Sequence, residues 1–337
     1  MPYLPPNVAE TPLSEELKHC GLNRIHQGKV RDTYEIPGHP MLLLVVATDR
    51  ISIFDFVLGA LVTGKGEVLT ALVVYFLTQV LSMHEHHLVA YGKNIDQYLP
   101  ASIRRYRQLQ VRALVVKRAN MMQVECVVRG ILTGSAYEKY AAGERVLWGY
   151  TLPDGLHDGS WLDEPMFTPT DRGERTGHDE PMSREYVHKT YGPGVEAFSI
   201  HLFKQIRKHA RERGIVFADT KFEFDTTLMI CDEIATPDSS RYLDADEYEE
   251  ASRQRKMAEG YDKQPVRNWG LAAEASDGRV VNIKKLKKTE ENAIVVGNIP
   301  VPAAVLTACT ERYFTITGRL AGKGLEQFQK KDMGIAA

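Results

Sequence analysis

The sequence has few cysteines, no excess of either charge and no long apolar run, and each shortage excludes a class of protein. Its four cysteines lie far apart and form no CxxC pair, which argues against a zinc site or a disulfide framework. Acidic and basic residues nearly balance, at 44 and 42, so neither nucleic acid nor a membrane is an expected partner. No apolar run approaches the ~18 residues of a membrane span, and the N-terminus does not resemble a signal peptide. We therefore expect a cytoplasmic protein with reduced thiols.

The chain also lacks a Walker A loop, because GxxxxGK[ST] does not occur. A different basic turn is present in the stretch "HQGKVRDTYEI". Gly28 permits a close backbone approach there, and Lys29 and Arg31 can point the same way from an extended backbone. That arrangement suits a polyphosphate, although a charged surface hairpin is the alternative.

The stretch 217–241, "FADTKFEFDTTLMICDEIATPDSSR", predicts a β-hairpin, since period-two alternation meets a polar break and then an apolar run. A two-residue turn would place Lys221, Glu223 and Asp232 on one face of the sheet. A turn longer by one residue would reverse that assignment. Two carboxylates beside an ammonium suit Mg2+ held against phosphate oxygens, and the alternative is a solvated hairpin with surface ion pairs.

Three charged residues interrupt the apolar stretch "ATDRISIFDFVL", namely Asp49, Arg50 and Asp55. A half-buried charge must be paired or must serve a ligand, because an isolated one costs several kcal/mol. Both a ligand site and a structural Asp–Arg pair are therefore open here.

A possible anion site follows in "VVRGILTGSAYEKY", where Arg129 ends a predicted strand and Ser135 precedes a helix. Helix N-termini favour negative charge, although an ordinary serine N-cap is the alternative. Residues 149–182 are rich in proline, glycine and aspartate, and we expect a long irregular loop there. Such loops are often functional, so the charged residues of "FTPTDRGERTGHDEPMS" are active-site candidates.

Helical periodicity predicts helices over 68–81 and 195–213. Residues 111–130 predict two strands joined by a short link that can serve as a hinge. We accordingly divide the chain into a β-rich N-terminal domain, 1–118, and a larger α+β domain, 119–337. Residues 272–298 have few apolar anchors and are predicted to be a solvated excursion.

Taken in order, seven blocks of this sequence resemble the SAICAR synthetase family (phosphoribosylaminoimidazole-succinocarboxamide synthase), in its longer form. The blocks are "GKVRDTYEI", "ATDRISIFDFVL", "VECVVRGILTGSAYEKY", "FTPTDRGERTGHDEPMS", "ADTKFEF", "DEIATPDSSR" and "YDKQPVRNW". The resemblance extends from about residue 22 to residue 318, and seven ordered blocks are far more specific than any one of them.

The resemblance implies a two-lobed α+β fold with an ATP-grasp or kinase-like nucleotide cleft. It implies a ligase that uses ATP to join the carboxylate of CAIR to the amine of L-aspartate, giving SAICAR, ADP and phosphate in purine biosynthesis. ATP and Mg2+ are the implied cofactors, and CAIR and L-aspartate are the implied small-molecule partners. The oligomeric state stays open, and a small-molecule kinase or a non-catalytic ATP-binding regulator would share much of the nucleotide site.

The resemblance also assigns roles by position in the blocks. The residues that match the family's nucleotide site are Gly28, Lys29, Arg31, Lys117, Lys221, Glu223 and Asp232. Of these, Glu223 and Asp232 match the metal carboxylates, and Lys117 falls on the adenine side. The residues that match the CAIR site are Asp55, Arg129, Ser135 and Arg241. The residues that match the reacting centre are Lys29, Arg172, His178 and Asp179.

Three features depart from the family pattern. Arg172 stands where the family has lysine, "KFEFG" has become "KFEFD" at Asp225, and residues 272–298 resemble an insertion. A guanidinium can still neutralise a carboxylate, but its planar fork requires a different geometry from that of an ammonium.

Overall fold

A computed structural model describes residues 2–172 and 180–336. The strands are β1 Arg24–Gln27, β2 Arg31–Glu35, β3 Leu42–Ala47, β4 Arg50–Ile53, β5 Phe56–Leu61, β6 Leu88–Tyr91, β7 Ala113–Lys117, β8 Val124–Leu132, β9 Val146–Leu147, β10 Tyr150–Thr151, β11 Ser160–Phe167, β12 Thr170–Asp171, β13 Ile215–Phe224, β14 Ile230–Cys231, β15 Ser240–Asp244, β16 Ala273–Glu274 and β17 Val280–Val281. The α-helices are α1 Pro6–Ala9, α2 Pro12–His19, α3 Lys65–Tyr75, α4 Arg107–Gln110, α5 Ser135–Ala141, α6 Arg184–Tyr191, α7 Gly194–Arg211, α8 Ala245–Arg253, α9 Gln264–Gly270, α10 Glu290–Gly297, α11 Ala303–Ala321 and α12 Leu325–Lys331. None of these helices is long and apolar enough to cross a bilayer.

The described residues form two compact units. The first contains residues 2–75, 87–119 and 263–336, and the second contains the remainder. The change after residue 119 lies close to the predicted boundary at 118. The prediction assigned all of 119–337 to one domain, however, whereas the contacts return the C-terminal segment to the first unit. The reason is that α11 packs against α3 and α9 of that unit.

The first unit is built on an antiparallel sheet with the strand order β1-β2-β3-β7-β6. Its central strand, β3, alternates inward-facing Leu44 and Val46 with less buried residues, as a sheet covered mainly on one face requires. Leu44 and Val46 join one apolar core with α2 residues such as Leu17. Met41, one residue before β3, is 69% exposed.

The second unit is built on a sheet with the strand order β11-β8-β13-β14, in which β12 also pairs with β8 and β15 also pairs with β13. Helix α7 packs against β13 and β8 through the apolar side chains Leu202, Phe203 and Ile206. This helix confirms the predicted amphipathic segment 195–213. The long irregular loop predicted for 149–182 is wrong in its middle, where β11 pairs with β8.

The predictions for the segments 68–81 and 272–298 had different outcomes. A helix covers the first, as predicted, with α3 followed directly by a π-helical turn, Phe76–Val80. The second is not a simple solvated excursion, because it contains β16, β17 and α10 and buries Ile283 and Val296 completely. With Ala273, the segment has three buried apolar residues in 27, too few for a periodic pattern to reveal.

Candidate functional site

The basic turn between β1 and β2 is held by its own backbone and by a buried arginine. The amide of Gly28 donates to the carbonyl oxygen of Arg31 at 2.8 Å, and a Cβ atom on Gly28 would lie 2.9 Å from that oxygen. Arg50 is fully buried, pairs with Asp32, and donates from Nη2 and Nε to the carbonyl oxygens of Gly28 (3.1 Å) and Lys29 (3.3 Å). The structural Asp–Arg alternative is therefore correct for Arg50, and its pair fixes the turn that presents Lys29.

Asp55 lies in the tight connection between β4 and β5, where both Phe54 and Asp55 have left-handed backbone conformations. Its two carboxylate oxygens contact different lysines. The Nζ of Lys29 lies 2.7 Å from Oδ1, and the Nζ of Lys288 lies 3.3 Å from Oδ2. Burial raises the pKa of Asp55, but Lys29 and then Lys288 outweigh burial and hold the pKa below its ordinary value.

The remaining nucleotide candidates of the first unit lie apart from one another. Arg31 is opposite Ala47 in the sheet, whereas Lys117 is opposite Leu42. Because β3 extends from Leu42 to Ala47, Arg31 and Lys117 lie beside opposite ends of that strand, which are separated by roughly 17 Å along the strand at ~3.4 Å per residue. Lys117 ends β7 with an exposed side chain, and its amide donates to the carbonyl oxygen of His87 at 2.8 Å.

In the second unit, β13 carries a charged cluster on alternate residues. Lys221 pairs with Glu125 of β8, and its Nζ also lies 3.6 Å from Oε1 of Glu223. Arg172, which follows β12, places its Nη2 2.9 Å from Oε2 of the same glutamate. The structure therefore brings Lys221, Glu223 and Arg172 together, as the sequence suggested for the first two.

The surroundings of Glu223 disfavour a negative charge on its carboxyl group. Burial is the largest effect that raises its pKa, and the neighbouring charge of Asp232 adds to it, so that the pKa reaches about 8 although Lys221 and Arg172 oppose the shift. Two carboxylates that repel one another in a buried place are an arrangement that a divalent cation relieves. No larger group of three or more His, Cys, Asp or Glu suited to a metal occurs within 2–172 and 180–336.

The hairpin that carries these carboxylates is confirmed, and its connection is longer than a two-residue turn, with the face assignment of the longer-turn alternative. The register pairs Phe224 with Ile230 and Glu223 with Cys231, so five residues connect the strands. Asp225 causes the longer connection, because its Oδ1 accepts hydrogen bonds from Thr227 and from the amide of Met229. This also gives the "KFEFD" departure a structural role.

Because of that register, Glu223 shares its face with Cys231 rather than with Asp232 on a regular strand. The charge of Asp232 nevertheless raises the pKa of Glu223. The chain leaves β14 at Asp232 with a left-handed φ of 56°, so the regular strand alternation does not continue to this carboxylate.

A second charged cluster runs across three adjacent strands of the same sheet. Asp219 of β13 is opposite both Arg129 of β8 and Arg241 of β15 in the register. Arg129 donates from Nη1 to Oδ2 of Asp219 at 3.1 Å, and Arg241 donates from Nε to Oδ1 at 3.0 Å. Burial disfavours the charge on Arg241, but attraction to Asp219 outweighs burial and raises its pKa. Two guanidinium groups share one carboxylate, so these three residues together carry a net positive charge, and the carboxylates of Asp262 and Asp158 act on Arg241 more weakly than Asp219 does.

Hydroxyl groups surround this cluster. Arg129 contacts the hydroxyls of Thr168 (3.0 Å, from Nε) and Ser135 (3.4 Å, from Nη2), and Arg241 contacts that of Thr133 (3.3 Å). The predicted strand end at Arg129 is wrong, since β8 continues to Leu132. The serine-cap alternative is also wrong, because Ser135 is the first residue of α5 and its cap is Gly134.

Gly134 has a positive φ of 60°, and a Cβ atom there would lie 3.1 Å from Nη2 of Arg241. A side chain at this position would therefore press against the cluster. Excess positive charge together with nearby hydroxyls suits a phosphate or another oxyanion.

Some predicted residues lie beyond the described chain, and some contributors were not predicted. His178 and Asp179 fall outside the described residues. The sequence reasoning missed Asp219, Glu125 and Lys288 as site residues. The alternation of Asp219 with Lys221 and Glu223 was a usable signal for the first, since residues two apart share a strand face. Lys288 gave no such signal, because its partner is distant in sequence.

The arrangement of strands and helices recurs in solved structures of one class of nucleotide-dependent enzymes. SAICAR synthase from Saccharomyces cerevisiae, complexed with SAICAR, superposes with a TM-score of 0.72 at 30% identity, over 90% of this chain and 96% of that one. A type-2 SAICAR synthetase in complex with ADP has a TM-score of 0.57 at 19% identity, over 89% of this chain and 98% of that one. The second likeness concerns the fold alone. These structures define the α+β fold of SAICAR synthetases.

Sequence comparison gives the family itself. The profile of SAICAR synthetase matches residues 24–282. Phosphoribosylaminoimidazole-succinocarboxamide synthase of Saccharopolyspora erythraea is 38% identical over 310 residues, 90% of this chain and 95% of the relative. The enzyme of the same name from Corynebacterium urealyticum is 41% identical over 253 residues, 73% of this chain and 80% of the relative. The chain belongs to the SAICAR synthetase family.

Proposed function

We propose that this chain joins the carboxylate of CAIR to the amine of L-aspartate at the expense of ATP, through an acyl phosphate. As a SAICAR synthetase, the chain is an ATP-dependent carbon–nitrogen ligase of purine biosynthesis. The observation that carries the proposal is the positively charged row of Arg129, Asp219 and Arg241, which suits the phosphate of a ribonucleotide. The cytoplasmic location inferred from the sequence stays a prediction.

The chemistry needs two steps because a carboxylate is a poor acylating agent. A carboxylate oxygen of CAIR attacks the γ-phosphorus of ATP, and ADP leaves with the electrons of the broken P–O bond. The amine of aspartate then attacks the acyl carbon, phosphate leaves, and the amine loses a proton. Such transfer depends on positioning and on neutralising charge, so no nucleophilic serine or cysteine is required.

In the first unit, Lys29 and Arg31 would hold nucleotide phosphates on the rigid turn after Gly28. The turn is already fixed by Arg50, so little conformational entropy is lost when a phosphate binds. Lys117 would contribute on the adenine side, and Asp55 would accept a hydrogen bond from the aminoimidazole of CAIR. These roles rest on the match of each position to the family blocks.

In the second unit, Glu223 and Asp232 would hold Mg2+, with Lys221 facing the phosphates. The raised pKa of Glu223 fits this role, because a bound cation would favour the ionised form. When bound, Mg2+ would neutralise charge on the phosphates during transfer. The ion pair between Arg172 and Glu223 supports a role for this position, where the family has lysine: its guanidinium would hold a carboxylate of the proposed metal pair.

The CAIR phosphate would bind to Arg129, Ser135 and Arg241, where two guanidinium groups face a single carboxylate. His178 and Asp179 would act near the reacting carboxylate and aspartate, as their block implies.

A coupled assay of ADP release tests the proposal, with CAIR, L-aspartate and ATP present and with each omitted in turn. We expect ADP release only with all three, and formation of SAICAR in equal amount. ADP release that is unchanged without aspartate would instead indicate a small-molecule kinase. ATP binding without any turnover would indicate a regulator.

An arginine substitution then tests the phosphate site. Arg241→Ala should raise the KM for CAIR about tenfold or more and leave the KM for ATP nearly unchanged, because a contact to one substrate is lost. Arg253→Ala is the matched control, since Arg253 forms an exposed pair within α8 of the same unit. Equal effects of Arg241→Ala on both substrates would indicate a structural role only.

A further inference from the structure

Lys288 contacts a residue of the proposed substrate site and lies beyond residues 24–282, the stretch that the family profile matches. Its Nζ lies 3.3 Å from Oδ2 of Asp55 and 4.9 Å from the centroid of the Phe56 ring. An ion pair and a cation–π contact therefore fix the same ammonium.

The position of Lys288 is set by packing rather than by a freely moving side chain. Ile283 before it and Val296 after it are completely buried. Thr289, the next residue, caps α10 by accepting a hydrogen bond from the amide of Asn292 at 3.3 Å. Helix α10 in turn packs against β5, the strand that begins one residue after Asp55.

The proposed chemistry explains why Asp55 pairs with two lysines. Lys29 holds Oδ1 and is also the lysine proposed to neutralise nucleotide phosphates. An ammonium that turns toward a phosphate leaves the carboxylate it held. A half-buried carboxylate without a cation would then tend to take up a proton, and a protonated oxygen is a poorer acceptor for an amino group.

We propose that Lys288 is a positioning residue for the substrate-binding carboxylate Asp55. It holds Oδ2, so that Asp55 stays ionised and oriented toward the aminoimidazole when Lys29 engages the nucleotide. The inference rests on the proposed function, which gives Asp55 and Lys29 their substrates. It identifies a contribution from the segment 272–298 to CAIR binding.

The contact also predicts a pH effect. The leading charged groups that act on Asp55 are Lys29, from the turn after β1, and Lys288, from the segment before α10. Both lower the pKa of Asp55 against the effect of burial. Removing the charge of Lys288 should therefore raise that pKa, and the acid limb of the pH profile of kcat/KM for CAIR should move to higher pH.

The test uses the full chain and four lysine variants. Lys288→Met removes the charge but keeps the aliphatic stem against Phe56, Lys288→Gln is a second neutral variant, and Lys288→Arg keeps the charge. Lys287→Met is the matched control, because Lys287 is the exposed neighbour. Steady-state kinetics vary each substrate separately, and carbon-13 NMR follows the carboxyl of Asp55, assigned with Asp55→Asn, as pH changes without substrates.

We expect both neutral variants to raise the KM for CAIR on the order of tenfold, with little change in the KM for ATP, and to raise the pKa of Asp55. Lys288→Arg should restore most of the CAIR affinity, and Lys287→Met should behave as the wild type. An unchanged KM for CAIR and an unchanged Asp55 titration in the neutral variants would overturn the inference, as would an equal effect of Lys287→Met. A wild-type chain without ligase activity would overturn the proposed function instead, and the NMR titration would still decide whether Lys288 keeps Asp55 ionised.

Discussion

Asp55 and Asp219 are both aspartates between two cations, yet they are built in different ways. Asp55 lies on a left-handed turn of the first unit, its side chain is 27% exposed, and its partners are lysines. Asp219 lies within a strand of the second unit, its side chain is 10% exposed, and its partners are arginines on the two adjacent strands.

The difference shows which of the two aspartates can exchange one of its cationic partners. Lysine is a compact point charge on a flexible stem, so a lysine that serves both Asp55 and a phosphate can move between them at small cost. Arginine offers a planar fork, and three strands in register fix both forks around Asp219. We therefore expect the cluster of Asp219 to be preorganised and that of Asp55 to change partners during the reaction.

Among the tests of this comparison, we expect Asp219→Asn to have the largest effect. The substitution leaves two buried guanidinium groups beside a neutral amide, and breaking a buried pair costs about 3–5 kcal/mol of the free energy of unfolding. Denaturant unfolding at pH 7 measures the loss. Asp277→Asn is the control, because Asp277 pairs with Arg279 at an exposed site, and we expect no measurable change there. A loss below about 1 kcal/mol for Asp219→Asn would contradict a preorganised cluster.

The next test concerns Asp232, which adopts a turn conformation in the second unit, whereas Asp219 lies within a strand of the same unit. Asp232→Asn should lower kcat by at least roughly 100-fold, or about 2.7 kcal/mol, because the charge proposed to hold Mg2+ is lost. The fold should persist, since asparagine tolerates the left-handed conformation that Asp232 adopts.

Circular dichroism and kinetics with varied Mg2+ check this prediction. Normal Mg2+-dependent turnover of the folded Asp232→Asn variant would remove the residue from the metal site.

Substitution of Arg172 should lower activity less than Asp232→Asn, because Arg172 acts only through its ion pair with Glu223. Arg172→Ala should lower kcat/KM by roughly tenfold, or about 1.4 kcal/mol, as one charge-assisted contact to Glu223 is lost. Arg172→Lys should retain most activity because it keeps the charge. Kinetics with CAIR and aspartate varied separately compare the two variants. Full activity of the alanine variant would show that Glu223 does not depend on Arg172.

The smallest effect is expected for the stability of Asp55→Asn. The folded pKa of Asp55 lies below its ordinary value, so its ion pairs stabilise the fold above about pH 3.8, and this contribution disappears as pH falls through the lower folded pKa. At pH 7 the substitution should cost under about 1 kcal/mol, because the pairs are partly exposed. Unfolding measured between pH 2 and 7 should show the two proteins converge in acid. A loss as large as that of Asp219→Asn would abolish the contrast between the two clusters.

The sequence predicted much of this molecule wherever the signal was local. Alternating residues predicted the hairpin, and helical periodicity predicted α3 and α7. The ordered blocks predicted the family, its α+β fold and its reaction. In the row formed by Arg129, Asp219 and Arg241, the sequence pattern indicated Arg129 and the resemblance added Arg241, whereas Asp219 was missed.

The sequence was insufficient where individual side-chain contacts, rather than a periodic pattern, decide the outcome. Asp225 caps its own loop and lengthens the hairpin connection, which selects the opposite face from the one that a two-residue turn would give. Arg50 was expected to need a partner, but strand periodicity cannot say that the partner is Asp32. Lys288 is more than 200 residues from Asp55 in sequence, and no local pattern links them.

The sequence by itself determined the strand alternation that places Asp219, Lys221 and Glu223 on one face, and it determined the glycine that the basic turn requires at position 28. Tertiary structure alone decided which charged side chains form ion pairs with one another. Backbone preference and side-chain period act over a few residues, whereas an ion pair forms only after register and packing have brought distant segments within about 4 Å. Arg129 therefore meets Asp219 through strand register, and Lys288 meets Asp55 through the packing of α10 on β5.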